Sequence, residues 1–221
     1  MEVKEVVTKR KSIRAFEPKP VHKDVLEAVM EQALWAPSWG NTQPWGFNIV
    51  SGRPLELIKE DSCKLRQQGV ESHPELPTPQ KWNEVQTARY QNFAKSMFDS
   101  LGIGREEKEK RNYFYQQLAL GFGAPHMIYL HLHKEFNNYS LLDCGLILQT
   151  IALLAVEQGL GTCIMAGAIL YPEVVRKYAQ IPLERILVMG MAIGYPIKDH
   201  SVNLFRSQRG KPAEFIQWVD G

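Results

Sequence analysis

Ala36-Pro37-Ser38-Trp39-Gly40-Asn41-Thr42-Gln43-Pro44-Trp45 joins two different periodicities, and the fold class is read from how they meet. Before it, Val25, Leu26, Val29, Met30, Ala33 and Leu34 recur at the spacing of one helix face. Pro37 disfavours the helical conformation at Ala36, so the helix is expected to stop there. After it, Trp45, Phe47 and Ile49 alternate with Gly46, Asn48 and Val50, which is the period of a strand. Ser38, Asn41, Thr42 and Gln43 lie between these rigid elements, with hydroxyls and amides that can bond a polar heterocycle or a polyol. An ordinary helix-to-strand turn is built from the same residue types.

Working towards the N-terminus, Glu17-Pro18-Lys19-Pro20 reads as an extended link, preceded by Arg10-Lys11-Ser12-Ile13-Arg14-Ala15-Phe16. If that piece is extended, Arg10, Ser12 and Arg14 project to one side and Ile13 to the other. Two guanidiniums and a hydroxyl on one volume suit a phosphate, because arginine forks match its oxygens and charge-assisted bonds are about twice as strong as neutral ones. A solvated basic stretch has the same composition. Val3, Val6 and Val7 give a short first helix with a narrow apolar face.

Towards the C-terminus, Ser51-Gly52-Arg53-Pro54 makes a turn, and Leu55, Ile58 and Leu65 begin an amphipathic helix. His73-Pro74-Glu75-Leu76-Pro77-Thr78-Pro79 is a proline-rich loop. Helical spacing returns at Trp82, Val85, Phe93 and Met97, stops at Gly102-Ile103-Gly104, and resumes through Arg105 to Arg111. Residues from about 67 to 120 therefore read as a helical insertion within a single domain spanning 1–221. Charged helices beside glycine hinges suit a movable cover, and equally suit a solvated face.

Met127 to Leu132 is a strand pattern with His131 and His133 on one face; without a third ligand the pair does not make a zinc site. Leu141 to Val156 reads as a buried helix closed by Gly159 as a left-handed cap. Its most apolar part, Cys144 to Val156, falls short of the roughly 20 residues of a membrane span. Gly159-Leu160-Gly161 to Ala166-Gly167 brackets a strand with glycines, where bare backbone can approach a flat ligand. No third glycine opens a helix, so the dinucleotide fingerprint is incomplete. A short helix from Tyr171-Pro172-Glu173 to Ala179 and a core strand from Ile186 to Ile193 lead to Gly194-Tyr195-Pro196. The tail carries Arg206, Ser207, Arg209 and Lys211 before Phe215, Ile216, Trp218 and Val219.

Composition narrows the partners. A formal charge of +2 gives no reason to expect nucleic acid or an anionic membrane, so any cationic site is local. Cys63, Cys144 and Cys163 are odd in number and far apart, which implies neither a disulfide framework nor a metal knuckle and fits a reducing cytoplasm. The N-terminus lacks a basic region followed by an apolar core, so no export signal is read.

In order, Arg10-Lys11-Ser12-Ile13-Arg14, the helix ending at Ala36-Pro37-Ser38, Asn41-Thr42-Gln43-Pro44-Trp45, Gly159-Leu160-Gly161, Gly194-Tyr195-Pro196 and the basic tail resemble the FMN-dependent nitroreductase family. The resemblance covers roughly residues 1 to 60 and 120 to 221. It implies an α+β fold, a central, mostly antiparallel sheet flanked by helices, in a homodimer whose C-terminal tails cross to the partner, with two FMN molecules at the interface. It also implies that Arg10, Lys11, Ser12 and Arg209 hold the phosphate with Arg206 as helper, and that Arg14 lies near the pyrimidine edge and gives electrostatic support. Pro37, Ser38, Trp39 and Asn41 would reach the flavin from the other subunit, and the backbone at Ala166 and Gly167 would face the ring. Some relatives have a glutamate where Met165 or Ala166 stands here.

The activity so implied is transfer of electrons from NADH or NADPH through FMN to nitroaromatic, quinone or similar conjugated acceptors by a ping-pong mechanism. No Ser-His-Asp arrangement, acid pair or metal cluster is evident in the sequence, as expected where the cofactor carries the chemistry. Trp82, Tyr90 and Phe93 are the expected acceptor contacts of the insertion. Two alternatives stand beside this: a reductive dehalogenase, with Glu84, Tyr90 and Lys95 as loose clamp candidates, and a non-catalytic flavin-binding redox protein.

Overall fold

The computed structural model describes residues 1–79 and 81–219; Gln80, inside the expected insertion, and residues 220 and 221 of the expected domain lie outside the described residues. Four strands, β1 (Trp45–Ser51), β2 (His126–His133), β3 (Gly161–Met165) and β4 (Arg185–Gly194), form one sheet in the order β1-β2-β4-β3. Every pairing is antiparallel, and the β2–β4 register shifts between Leu130 and His131. Strand alternation splits the core. Ile128, Leu130 and Leu132 face one cluster with Met191 and Ile193, whereas Met127 and Tyr129 face another with Leu187 and Ala192.

Helices cover both faces, giving the expected α+β architecture. On the first face, α2 (Lys23–Ala33) contributes Leu26, Val29 and Ala33, and α6 (Asn138–Glu157) contributes Ile147, Ile151 and Ala155. On the second, α3 (Gly52–Gln67) and α7 (Pro172–Ala179) bring Leu55, Ile58, Val174 and Val175. Ile147, Ile151 and Leu130 are fully buried, and truncating such side chains to alanine costs about 2–5 kcal/mol each. A short α1 (Val3–Lys9) buries Val6, and α8 (Ser201–Leu204) buries Val202 and Asn203.

Three boundaries differ from the sequence reading. α2 ends at Ala33, before Ala36, because the chain tightens into a last turn in which the Ala36 N–H donates to the Ala33 carbonyl at 2.9 Å. α6 has 20 residues, long and apolar enough by length and composition to cross a membrane, so the expected shortfall in length does not hold. Its burial does. Ser140, Asp143, Cys144, Ile147, Leu148, Ile151, Ala152 and Ala155 face inward at helical spacing, Asn137 caps the start, and Gly159 (φ +72°) takes the left-handed position after the end. In the 67–120 region, Trp82 precedes α4 (Glu84–Ser100), which starts after the cap Asn83, and α5 begins at Lys108 and runs to Ala119.

These segments are tied to the rest of the molecule. Phe98 is buried and meets Phe114 edge-on at 5.4 Å, while Phe114 and Leu118 pack on the second core cluster. Glu75, in the proline-rich loop, bonds Arg176 and the Leu187 N–H.

Candidate functional site

The segment after α1 runs along the free edge of β3. Ser12 bridges Thr162 in parallel fashion, and the Ile13 N–H donates to the Thr162 carbonyl at 2.9 Å. Gly161 permits this approach, since a Cβ there would meet the Ile13 side chain at 2.5 Å. Extended backbone sends Ile13 inward and leaves Arg10, Ser12 and Arg14 on the wall of a small cavity of about 130 Å³. Its other walls are Lys11, Phe93, Phe205, Arg206, Ser207 and Arg209. The chain thus brings the expected phosphate holders, Arg10, Lys11, Ser12, Arg206 and Arg209, and the expected ring-edge residue Arg14 to one place.

Asn203 organises this corner, a role no sequence pattern revealed, because a lone asparagine in Val202-Asn203-Leu204 has no period to betray it. It is 1% exposed; its Oδ1 accepts the Arg14 N–H at 2.7 Å, and its Nδ2 donates to the Ala15 and Ile197 carbonyls at 2.7 and 2.9 Å. The Lys11 ammonium donates to the Asn203 carbonyl. The tail is thereby fastened to the residue 10–15 segment.

The electrostatics are one-sided. Among the described residues no carboxylate lines the small cavity, and burial, then Arg209 and Arg206, hold the Arg10 pKa below its usual value. The Arg10 Nε is buried and makes no hydrogen bond. A half-buried cation whose free donor is fully buried, with like charges for neighbours, is unfavourable unless an anion completes it. A phosphate fits that donor set in charge and in geometry.

Arg14 separates two environments. Its guanidinium lies 6.0 Å from the Phe93 ring, and it also lines a larger cavity of about 700 Å³ with Phe16, Leu101, Tyr113, Phe114 and Gln117. Phe93 is therefore placed at the basic corner, tilted against Phe205 at 5.9 Å. Trp82 and Tyr90 pack on each other at 4.7 Å and line none of the cavities just described. Glu84, Tyr90 and Lys95 all belong to the α4 segment and likewise line neither.

The opening loop sits elsewhere. Trp39–Asn41 forms a single 3-10 turn with Gly40, Asn41 and Gln43 at φ +56°, +57° and +45°. Ser38 Oγ accepts the Gln43 N–H at 3.0 Å, and Trp39 is exposed and stacked on Tyr139 at 5.9 Å. Within one chain Pro37, Ser38, Trp39 and Asn41 line neither cavity. Ala166 and Gly167 follow β3 in a 3-10 turn, and Leu118 of α5 lies against Gly167, where an added Cβ would be 3.0 Å from the Leu118 Cβ.

An antiparallel sheet clad by helices, with a cationic corner at its edge suited to an anion, defines a protein of the α+β class. The family model described as Nitroreductase family matches residues 7–195, and the chain belongs to that family. It is 27% identical over 219 residues to the 4-nitrobenzoate reductase of Pseudomonas putida, covering 97% of this chain and 94% of the relative. Nitroreductase NfnB of Mycolicibacterium smegmatis is 29% identical over 209 residues, 93% of this chain and 87% of its own. Among solved structures, the FMN and NADPH-dependent nitroreductase NfnB from sphigopyxis sp. strain HMH superposes with a TM-score of 0.96, covering 100% of both chains at 31% identity.

Proposed function

We infer that this protein is an FMN-dependent oxidoreductase that uses NAD(P)H to reduce nitroaromatic acceptors. The observation that carries the reading is the buried Arg10 Nε, which has no partner among the described residues, within a cluster of cations whose described lining holds no carboxylate. Relatives in the same family are named for nitroaromatic reduction, and a solved relative for FMN and NADPH dependence. The dehalogenase and non-catalytic alternatives are not favoured.

FMN, when bound, supplies the hydride and electron transfer between nicotinamide and acceptor. The chain's own residues bind and orient. Arg10, Lys11, Ser12, Arg206 and Arg209 hold the phosphate; Arg14 sets a positive charge beside the ring edge, where it favours the reduced, more negative form. The backbone at Ala166 and Gly167 would face the ring, and α5, packed on Gly167 through Leu118, would exclude water from that side. Phe93 of the 67–120 cover meets the acceptor, with Trp82 and Tyr90 as further contacts, and quinones and other flat conjugated molecules are taken at the same site. Turnover would be ping-pong, donor and acceptor occupying one site in succession.

The active form is a homodimer in which Pro37, Ser38, Trp39 and Asn41 complete the flavin site of a second copy. In support, Tyr139, Leu142 and Leu146 form an exposed stripe on α6 on which Trp39 stacks, Trp35 is exposed, and the tail exposes Phe215, Ile216, Trp218 and Val219. Contiguous apolar surface of this kind is rare on monomers. The three cysteines are unpaired, which fits work in a reducing cytoplasm. The test is the spectrum of the purified protein, release of FMN by heat, and anaerobic bleaching under NADH and NADPH. A colourless protein that takes up no FMN on titration sinks the reading.

A further inference from the structure

We propose that Asp143 is a positioning residue: through the Trp39 N–H it fixes the 38–43 loop in the shape that completes the flavin site, a role that rests on the reading above. The loop's backbone needs such an anchor. Asn41 and Gln43 are non-glycine residues in the left-handed region at φ +57° and +45°, and such positions persist only where the surroundings over-determine them. Inside the loop, the Asn41 N–H donates to the Ser38 carbonyl at 3.0 Å, the Thr42 N–H to the Trp39 carbonyl at 3.1 Å, and the Gln43 N–H to Ser38 Oγ at 3.0 Å. These bonds shape the turn but do not attach it to anything. Among the described residues, the hydrogen bond from residues 38–43 to the rest of the chain is the Trp39 N–H to Asp143 Oδ1, at 3.1 Å.

Asp143 is an unfavourable residue for packing alone. It is 3% exposed on the inward face of α6, its Oδ2 has no partner, and no basic side chain forms an ion pair with it among the described residues. A buried carboxylate left half satisfied opposes folding, so its presence at a core position is explained by what the first oxygen holds. The same helix also grips the loop's ring: Tyr139, one turn before Asp143, stacks on Trp39 at 5.9 Å with a 30° interplanar angle. Backbone and indole are thus fixed by residues four apart on one helix, while Trp39 and Asn41 remain exposed for a second copy.

The test uses apo-protein refilled with FMN and the variants Asp143→Leu, Asp143→Asn, Trp39→Ala and Trp39→Pro. Leucine removes the acceptor while keeping the branched outline of the side chain, whereas asparagine keeps an oxygen for the Trp39 N–H. Proline at 39 deletes the donor at a position where Ser38 is extended (φ −139°, ψ 156°) and accepts a following proline, and alanine controls for loss of the ring. Asp143→Leu is expected to weaken FMN binding at least ten-fold, to raise acceptor KM more than it lowers kcat at saturating FMN, and to speed hydrogen exchange at residues 39–43 of the apo-protein at least ten-fold. Asp143→Asn should restore each within about three-fold, and Trp39→Pro should bind FMN at least five-fold more weakly than Trp39→Ala. The role is overturned if Asp143→Leu matches the parent in FMN affinity and exchange, if asparagine fails as badly as leucine in a protein of parental melting temperature, or if the proline and alanine variants agree. Should Asp143→Leu not fold, the proline–alanine pair decides. A parent that takes no FMN removes the flavin reading, and exchange in the apo-protein then still decides whether Asp143 holds the loop.

Discussion

Arg176 and Arg10 are the same residue type, both drawn away from water, and their surroundings are opposite. The Arg176 Nη2 lies 2.7 Å from both oxygens of Glu75 and also donates to the Arg185 carbonyl, while Nη1 donates to the Pro182 carbonyl at 2.7 Å. Glu75 in turn accepts the Leu187 N–H at 2.7 Å. Arg10 has Arg206 and Arg209 for charged neighbours and an unpartnered Nε. A cation whose counter-charge comes from its own chain is part of the fold; one whose counter-charge is missing marks where a ligand belongs.

The contrast is tested most severely at Glu75. Glu75→Ala leaves Arg176, whose side chain is 12% exposed, without its carboxylate and the Leu187 N–H without its acceptor. A loss of about 3–5 kcal/mol in unfolding free energy is expected by chemical denaturation, with FMN affinity of the folded fraction nearly unchanged. A loss below about 1 kcal/mol would mean that Arg176 is not held by its pair.

Near the same cluster stands His131, 5% exposed, with Nε2 at 2.8 Å from Asn48 Oδ1 and Nδ1 unpartnered. Burial first, then the charges of Arg185 and Arg176, push its pKa down to about 4. The folded state therefore keeps His131 neutral where the unfolded chain protonates it, so stability is lost as pH falls from about 6.5 towards about 4, on the order of 3 kcal/mol in all. His126, whose Nε2 accepts the Val21 N–H, is shifted down by burial and adds to the loss. His73 acts the other way: bonds to the Glu71 carbonyl and Glu173 raise its pKa, so its small contribution is present at low pH and fades as pH rises. Denaturation curves at pH 7 and pH 4.5 check this, and His131→Asn should flatten the dependence.

At the basic corner the expected sign of a truncation depends on the ligand. Arg10→Ala removes charge-assisted bonds of about 1.5–3 kcal/mol, or roughly ten- to a hundred-fold in FMN affinity. In the apo-protein the same change relieves repulsion from Arg206 and Arg209, so thermal stability should hold or rise. Arg209→Ala should resemble it less cleanly, since Arg209 also bonds Ser207 and the Gln208 carbonyl. An apo-protein destabilised by more than about 1 kcal/mol in Arg10→Ala would make that arginine structural after all.

Much of this corner was legible because its signals are local. Alternation alone put Arg10, Ser12 and Arg14 on one side and Ile13 on the other, and the strands on either side of the core helix follow from their periods. What stayed hidden is long-range or single. Glu75 sits in a proline-rich loop with no period, and its partner Arg176 lies in α7. Asn203 and Asp143 are isolated polar residues in apolar runs, whose worth depends on backbone groups brought in from residues 14–15 and 39. Helical spacing grouped Trp82 with Phe93 because it reports a shared face; the cap at Asn83, which starts α4 after Trp82, decides what that face contains.

That last difference gives the smallest and most discriminating expectation. Phe93 touches the basic corner through Arg14 at 6.0 Å and Phe205 at 5.9 Å, whereas Trp82 spends its ring on Tyr90 at 4.7 Å. Aromatic and cation–π contacts are worth about 0.5–1.5 kcal/mol each. Phe93→Ala should therefore raise acceptor KM several-fold and weaken FMN binding two- to five-fold. Trp82→Ala should leave both within about two-fold and lower only thermal stability, and Tyr90→Ala should not add fully to it, since the two lose one shared contact. Steady-state kinetics with a nitroaromatic acceptor at saturating FMN separates the two. If the order is reversed, with Trp82→Ala raising KM ten-fold and Phe93→Ala silent, the surface formed by Trp82 and Tyr90 serves the site of a second copy, and the cover belongs to the partner's flavin instead of its own.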